Sequence, residues 1–153
     1  MPTRYAHTNI IAHDWEKLAR FYCDVFGCEL LEPERDISGE WLERGTLVRG
    51  AHIRGAHLRL PGHGDQGPTL EIFHYDEVLE ALPPAANRAG FGHIAFAVDD
   101  VEATLAAMVQ AGGSRYSEVV SNAVPGAGVV TFTYAKDPEG NLVEVQSWRP
   151  SEE

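Results

Sequence analysis

Four residues of this sequence carry the donor types of a divalent-metal site: His7, Glu71, His93 and Glu144. Two imidazole nitrogens and two carboxylate oxygens suit a borderline ion such as Zn, Ni, Co, Mn or Fe. An ion that accepts six donors keeps two positions open beyond these four. Two adjacent open positions suit a bidentate small molecule, such as a hydroxyketone or a thioester with a second carbonyl. An ion there acts as a Lewis acid toward an enolate or enediolate oxygen, and a carboxylate beside it can move the proton. A lone histidine at the start of a strand is more often structural, so the case rests on the pairing. A glutamate in an apolar strand is costly to bury without a partner, and both Glu71 and Glu144 have that setting.

The pairing comes from an internal repeat. His7 opens His7-Thr-Asn-Ile-Ile-Ala-His-Asp14, and His93 opens His93-Ile-Ala-Phe-Ala-Val-Asp-Asp100. In both halves an Asp falls seven residues after the His, a Glu two residues later (Glu16, Glu102), and a Gly twenty residues after the His (Gly27, Gly113). The ends match too: Thr69-Leu-Glu-Ile-Phe-His-Tyr75 aligns with Leu142-Val-Glu-Val-Gln-Ser-Trp148. Matches in the same order point to a duplicated module of about 60 to 75 residues.

The elements that must position these residues follow. Each half reads as a short strand from the His, then a helix, then strands. Asp14 is a plausible N-cap of the first helix, and Asp99 with Glu102 reads as a capping box for the second. Trp15, Leu18, Phe21, Tyr22 and Val25 form one apolar helical stripe; Val101, Leu105, Met108 and Val109 form the other. Gly27 and the Gly112-Gly113 pair stop the helices. Strands are expected at Ala51 to Leu60 and Thr69 to Tyr75, with a turn between them. Further strands are expected at Val129 to Ala135 and Asn141 to Trp148, joined by the turn Asp137-Pro-Glu-Gly140. The fold class is α+β: two tandem βαβββ modules forming a curved mixed sheet around a metal-binding funnel. Module one covers about 1–81, a Pro/Ala/Gly-rich linker about 82–92, and module two about 93–150, all within one domain.

Residues two apart on a strand share a face. Glu71 therefore goes with Phe73 and Tyr75, Glu144 with Gln146 and Trp148, and His7 with Asn9. Two-fold pairing of like modules brings His to His and Glu to Glu. Asn9, Phe73, Tyr75, Gln146 and Trp148 are the candidate substrate-binding residues; for Tyr75 and Trp148 a place in the core is an equal alternative. His13, His52, His57, His63 and His74 gain no support from the repeat and read as surface residues or neighbours behind the ligands.

Composition bounds the partners. The chain has 153 residues, 44% of them apolar, and a net charge of −11. Phosphate neutralisation needs surplus Lys and Arg, so the charge argues against nucleic acid as a partner. No apolar run is long enough to span a bilayer, and Met1 to Arg4 does not read as part of a secretory signal. The expectation is a cytoplasmic protein without a membrane partner. Cys23 and Cys28 are too few for a disulfide scaffold and are expected to be reduced.

The pattern resembles the vicinal oxygen chelate superfamily, which includes glyoxalase I, methylmalonyl-CoA epimerase, extradiol dioxygenases and bleomycin or fosfomycin resistance proteins. The segments that carry it are Phe91-Gly-His-Ile-Ala-Phe-Ala-Val-Asp-Asp100, Lys136-Asp-Pro-Glu-Gly-Asn-Leu-Val-Glu144, and the opening His7-Thr-Asn-Ile with Phe21-Tyr22 and Phe26-Gly27. The resemblance implies metal ligands at His7, Glu71, His93 and Glu144, one divalent ion, and a homodimer. Four ligands are similar to the glyoxalase I and epimerase branch, where the carboxylate at Glu144 or Glu71 is the candidate catalytic base. Two departures bear on the substrate. Bacterial glyoxalase I has Arg where this chain has Ile11, and Asn where it has Tyr75. Both family residues contact glutathione, so these positions argue against a glutathione-linked substrate. Arg49, Arg54 and Arg59 are alternative cations for an anionic substrate, with a solvated strand face the favoured reading.

The leading expectation is thus a metal-dependent lyase or isomerase acting on a small bidentate oxygen substrate. The rivals are an extradiol-type dioxygenase, which needs Fe(II) or Mn(II), and a non-catalytic protein that binds a small molecule such as an antibiotic.

Overall fold

The structure is a computed structural model that describes residues 2–151. The chain divides into two compact units, one ending at Glu80 and one starting at Ala81.

The first unit contains β1 (His7–Ile11), α1 (Trp15–Phe26), β2 (Glu29–Ser38), α2 (Glu40–Thr46), β3 (His52–Arg59) and β4 (Thr69–Tyr75). Its sheet has the order β1-β4-β3-β2. β1 runs parallel to β4, and the other pairs are antiparallel. Asp14 caps α1 as expected, accepting a hydrogen bond from the Lys17 N–H at 3.0 Å. Gly27 ends the helix at φ 71°, and its N–H and that of Cys28 return to the Cys23 and Tyr22 carbonyls. That left-handed closure favours glycine. The stripe of α1 buries Leu18, Phe21 and Tyr22. At about 1.5–3 kcal/mol for each such side chain, this burial holds the helix on its sheet.

Alternation in β3 and β4 is clear. Leu58, Leu70 and Ile72 are fully buried on one face, while His57, Thr69, Glu71 and Phe73 are half-buried on the other. One end of that second face is closed by Leu42 of α2 with Ala51 and Ile53, against which Phe73 and Tyr75 pack. Gly55 faces Phe73 across the ladder. A Cβ there would lie 2.0 Å from the Ile72 carbonyl oxygen and 2.7 Å from the Phe73 ring, so only glycine fits.

The second unit contains β5 (Ile94–Ala97), α3 (Val101–Gln110), β6 (Ser114–Arg115), β7 (Val120–Val124), β8 (Gly128–Lys136) and β9 (Leu142–Arg149). Its sheet has the order β5-β9-β8-β6, with β7 also on β8. β5 is parallel to β9. Val101, Leu105 and Met108 of α3 are buried, as are Ala135, Val143 and Val145. The turn after β8 is organised by buried Asp137, whose carboxylate accepts from the Glu139 and Asn141 N–H groups and from the Asn141 side chain.

The α+β class and the two βαβββ modules match the sequence expectation, each module with its own mixed sheet. Three local expectations are corrected. The cap of α3 is Asp100, which accepts from the Ala103 N–H at 2.9 Å, not Asp99. The Val98 N–H still bonds the Gln146 carbonyl, so the chain leaves the sheet too late for Asp99 to cap. Glu102 then falls one position short of where a capping box would place it. Val109 is 44% exposed and lies off the α3 stripe. β5 starts at Ile94, so His93 stands just before the strand rather than opening it. No helix among the described residues is long and apolar enough to cross a membrane.

Candidate metal centre

In the first unit the parallel ladder sets Asn9 opposite Glu71, and the antiparallel ladder sets His57 opposite Glu71 from the other side. His7 Nε2 lies 3.5 Å from Glu71 Oε1. Asn9 Nδ2 donates to the same Oε1 at 2.9 Å. His57 Nε2 lies 2.8 Å from Glu71 Oε2, and His57 Nδ1 lies 2.8 Å from the Thr69 hydroxyl. The His7 and His57 rings meet edge to face, 5.6 Å between centroids. Glu71 is only 12% exposed, so this carboxylate is partnered as burial requires.

In the second unit the same construction holds one pair. His93 Nε2 lies 3.1 Å from Glu144 Oε2, with Glu144 16% exposed. The residue opposite Glu144 on the parallel side is Ala95, and on the antiparallel side Tyr134. The Tyr134 ring packs on His93 at 4.9 Å between centroids. Among the described residues, His93 is the one polar side-chain partner recorded for Glu144.

The donor chemistry fits a metal in each pair. Two bonds of about 2.1 Å to one ion put donor atoms roughly 3.0 Å apart at a right angle and roughly 3.4 Å apart at the tetrahedral angle. Of the His–Glu separations, 3.1 Å lies within that range and 3.5 Å just above it. His7, His57 and Glu71 also form the one group of three donors among the described residues whose ligand atoms all lie within 4.8 Å of one another.

Burial lowers His57 from its ordinary value, opposed by the Glu71 charge, with Arg35 and His7 pushing the same way as burial. Burial raises Tyr75 and Tyr134, each with a further push from its own module's glutamate. Burial pushes Cys28 up to about 12, and Cys23 is raised as well, chiefly by burial. Both cysteines are free. As protonated thiols they are poor nucleophiles.

The remaining predicted site residues are placed as follows. Asn9 is engaged with Glu71. Phe73 and Tyr75 pack against the Leu42 cluster at one end of the ligand face. Gln146 accepts a hydrogen bond from the Trp148 indole, and Trp148 is half exposed. Arg54 and Arg59 are paired with Asp76 and Glu29, as a solvated strand face implies. His74 bonds the Ala12 carbonyl, and His13 meets Glu80. His57 is the residue that sequence reasoning undervalued. It stands outside the repeat, because its counterpart is a tyrosine, and only the β3–β4 register shows that it faces Glu71.

A model of the Glyoxalase/Bleomycin resistance protein/Dioxygenase superfamily matches residues 4–145. The chain belongs to this superfamily. It is 32% identical over 146 residues to a probable lactoylglutathione lyase of Vibrio parahaemolyticus, covering 93% of this chain and 88% of that protein. It is 28% identical over 148 residues to a probable lactoylglutathione lyase of Synechocystis, covering 91% of each. A glyoxalase family protein from Bacillus cereus shares the fold with a TM-score of 0.81 at 18% identity, over 97% of this chain and 95% of that one. One from Enterococcus faecalis shares it with a TM-score of 0.60 at 22% identity, over 94% and 96%.

Proposed function

We propose that the chain is a divalent-metal-dependent lyase or isomerase of the glyoxalase type, with His7, Glu71, His93 and Glu144 as the four protein ligands of one ion. The observation that carries the reading is the repeated His–Glu pair, built the same way in each module with ligand-like separations. The probable lactoylglutathione lyases it resembles support the reaction class. When bound, the ion supplies Lewis-acid polarisation of a substrate oxygen. The protein's part is proton transfer at the carbon next to that oxygen, by Glu144 or Glu71 as general base. Glu144 is favoured, because Glu71 already accepts from Asn9 and contacts two histidines. Ile11 is 41% exposed and offers no cation, and Tyr75 packs on an apolar cluster. Those two positions support a substrate other than a glutathione adduct.

The test is metal analysis of the purified protein, followed by solvent deuterium exchange into α-hydroxyketones, acyl thioesters and the glutathione hemithioacetal of methylglyoxal. Metal-dependent exchange into one of the first two classes is expected. Protein that takes up none of Ni, Co, Zn, Mn or Fe sinks the reading.

A second reading draws on His7, His57 and Glu71, the two-histidine, one-carboxylate composition of non-haem Fe(II) oxygenases. Oxygen uptake with catechols separates it from the first. The His57–Glu71 separation of 2.8 Å favours a hydrogen bond over two donors on one ion.

A further inference from the structure

We infer that His57 is a positioning residue: it takes a hydrogen bond from Thr69 and gives one to Glu71, fixing which carboxylate oxygen is free to bind metal. The inference rests on the reading of Glu71 as a ligand.

The argument is one of donors and acceptors. An ionised carboxylate only accepts, so the imidazole nitrogen 2.8 Å from Glu71 Oε2 must carry the proton. A neutral imidazole has one such proton, so Nδ1 is the acceptor. The group 2.8 Å from Nδ1 is the Thr69 hydroxyl, which can donate. Strand alternation makes this chain of bonds possible. Thr69 and Glu71 are two apart on β4 and share a face, and the register sets His57 beside Glu71 on β3. With Oε2 held by His57, Oε1 is the oxygen turned to His7 and steadied by Asn9. Hydrogen bonds behind a metal ligand fix its orientation, and losing one typically lowers affinity 10–100-fold.

The second module supplies the contrast. Tyr134 holds the place of His57 in the register and Ala95 that of Asn9. Both rings, His57 and Tyr134, wall the ligand histidine of their own module. Packing against that histidine is therefore common to the two positions, and the short contact to glutamate belongs to His57.

The experiment separates ring from proton. His57→Phe keeps the ring and loses the donor; His57→Gln keeps a donor and loses the ring. In Co(II) titration with a competing chelator, His57→Phe should bind about 10–100-fold more weakly than wild type, with an altered visible spectrum, and His57→Gln should recover most of the loss. Equal affinity and spectrum in wild type and His57→Phe overturn the inference. So does a count of three metal-bound imidazoles from the hyperfine-shifted N–H signals of the Co(II) protein, since His57 would then be a ligand itself.

A measurement on the metal-free wild type needs no variant to fold. Long-range ¹H–¹⁵N correlation at pH 8 should report the Nε2–H tautomer of His57. The Nδ1–H tautomer overturns the inference. If wild type binds no metal, the proposed function falls, while the Nε2–H tautomer still upholds His57 as the group that holds Glu71.

Discussion

The two modules present the same His–Glu pair in different company. His7 and Glu71 stand among Asn9, His57 and Thr69, all polar and joined by hydrogen bonds and close imidazole–carboxylate contacts. His93 and Glu144 stand among Ala95 and Tyr134. The repeat therefore keeps the His–Glu pair and varies the positions beside it. A carboxylate with several partners is costly to move, whereas one with a single polar side-chain partner turns more readily. Under the proposed function the comparison divides the labour: Glu71 would hold the ion, and Glu144 would move the proton.

The strongest way to break this division is to neutralise each glutamate in turn. Glu144→Gln should keep metal and lose about 10²–10⁴-fold in solvent deuterium exchange, whereas Glu71→Gln should show its main defect in metal affinity. Full exchange activity in metal-loaded Glu144→Gln removes Glu144 as the base. Next in size is the glycine of each module that faces a neighbouring carbonyl. A Cβ at Gly55 would lie 2.0 Å from the Ile72 oxygen, and one at Gly128 would lie 2.4 Å from the Arg149 oxygen. Gly55→Ala and Gly128→Ala should each cost about 1–3 kcal/mol in urea unfolding. Only Gly55→Ala should also weaken metal binding, because the Phe73 ring it would push packs on His57.

A smaller effect compares the helix caps. Asp14→Ala and Asp100→Ala should each cost about 1 kcal/mol, and Asp99→Ala within about 0.5 kcal/mol of nothing. An Asp99→Ala loss equal to that of Asp100→Ala would restore the capping box expected from sequence.

The smallest effect is electrostatic and confined to the first module. His52 is raised above its ordinary value by its bond to Asp36 and further by Asp76, while partial burial and Arg54 oppose the rise. A raised histidine contributes stability that is fully present below about pH 6.5 and is lost as pH climbs through the folded value. Asp36→Asn should flatten that loss between pH 6 and pH 9, read as a urea midpoint that varies less with pH.

Much of the fold was legible because its signals are local and doubled. The His-to-Asp spacing, the helical stripes and the Asp137 turn occur in the chain as read. β2 and α2 were not legible. β2 carries Pro33 and a register irregularity between Leu31 and Arg35, so its alternation is broken. Glu40–Thr46 is short and lacks a side-chain cap. In the site, the His–Glu pairs followed from the repeat. The role of His57 did not, because it depends on a register between strands whose partner residues are fourteen positions apart in the chain. The bond from the Asn9 amide to Glu71 likewise depends on the β1–β4 register.

Each pair also joins two strands that are anchored unequally. Glu71 and Glu144 sit on β4 and β9, which have a neighbour on both sides, while His7 lies on β1 and His93 just before β5, each at the edge of its sheet. An edge strand opens at less cost than an interior one. Amide hydrogens along β1 and β5 are therefore expected to exchange with water before those of β4 and β9, and an ion held between histidine and glutamate would pin the looser strand to the firmer one. Protection gained at these two edges on metal loading would then measure the clasp strand by strand.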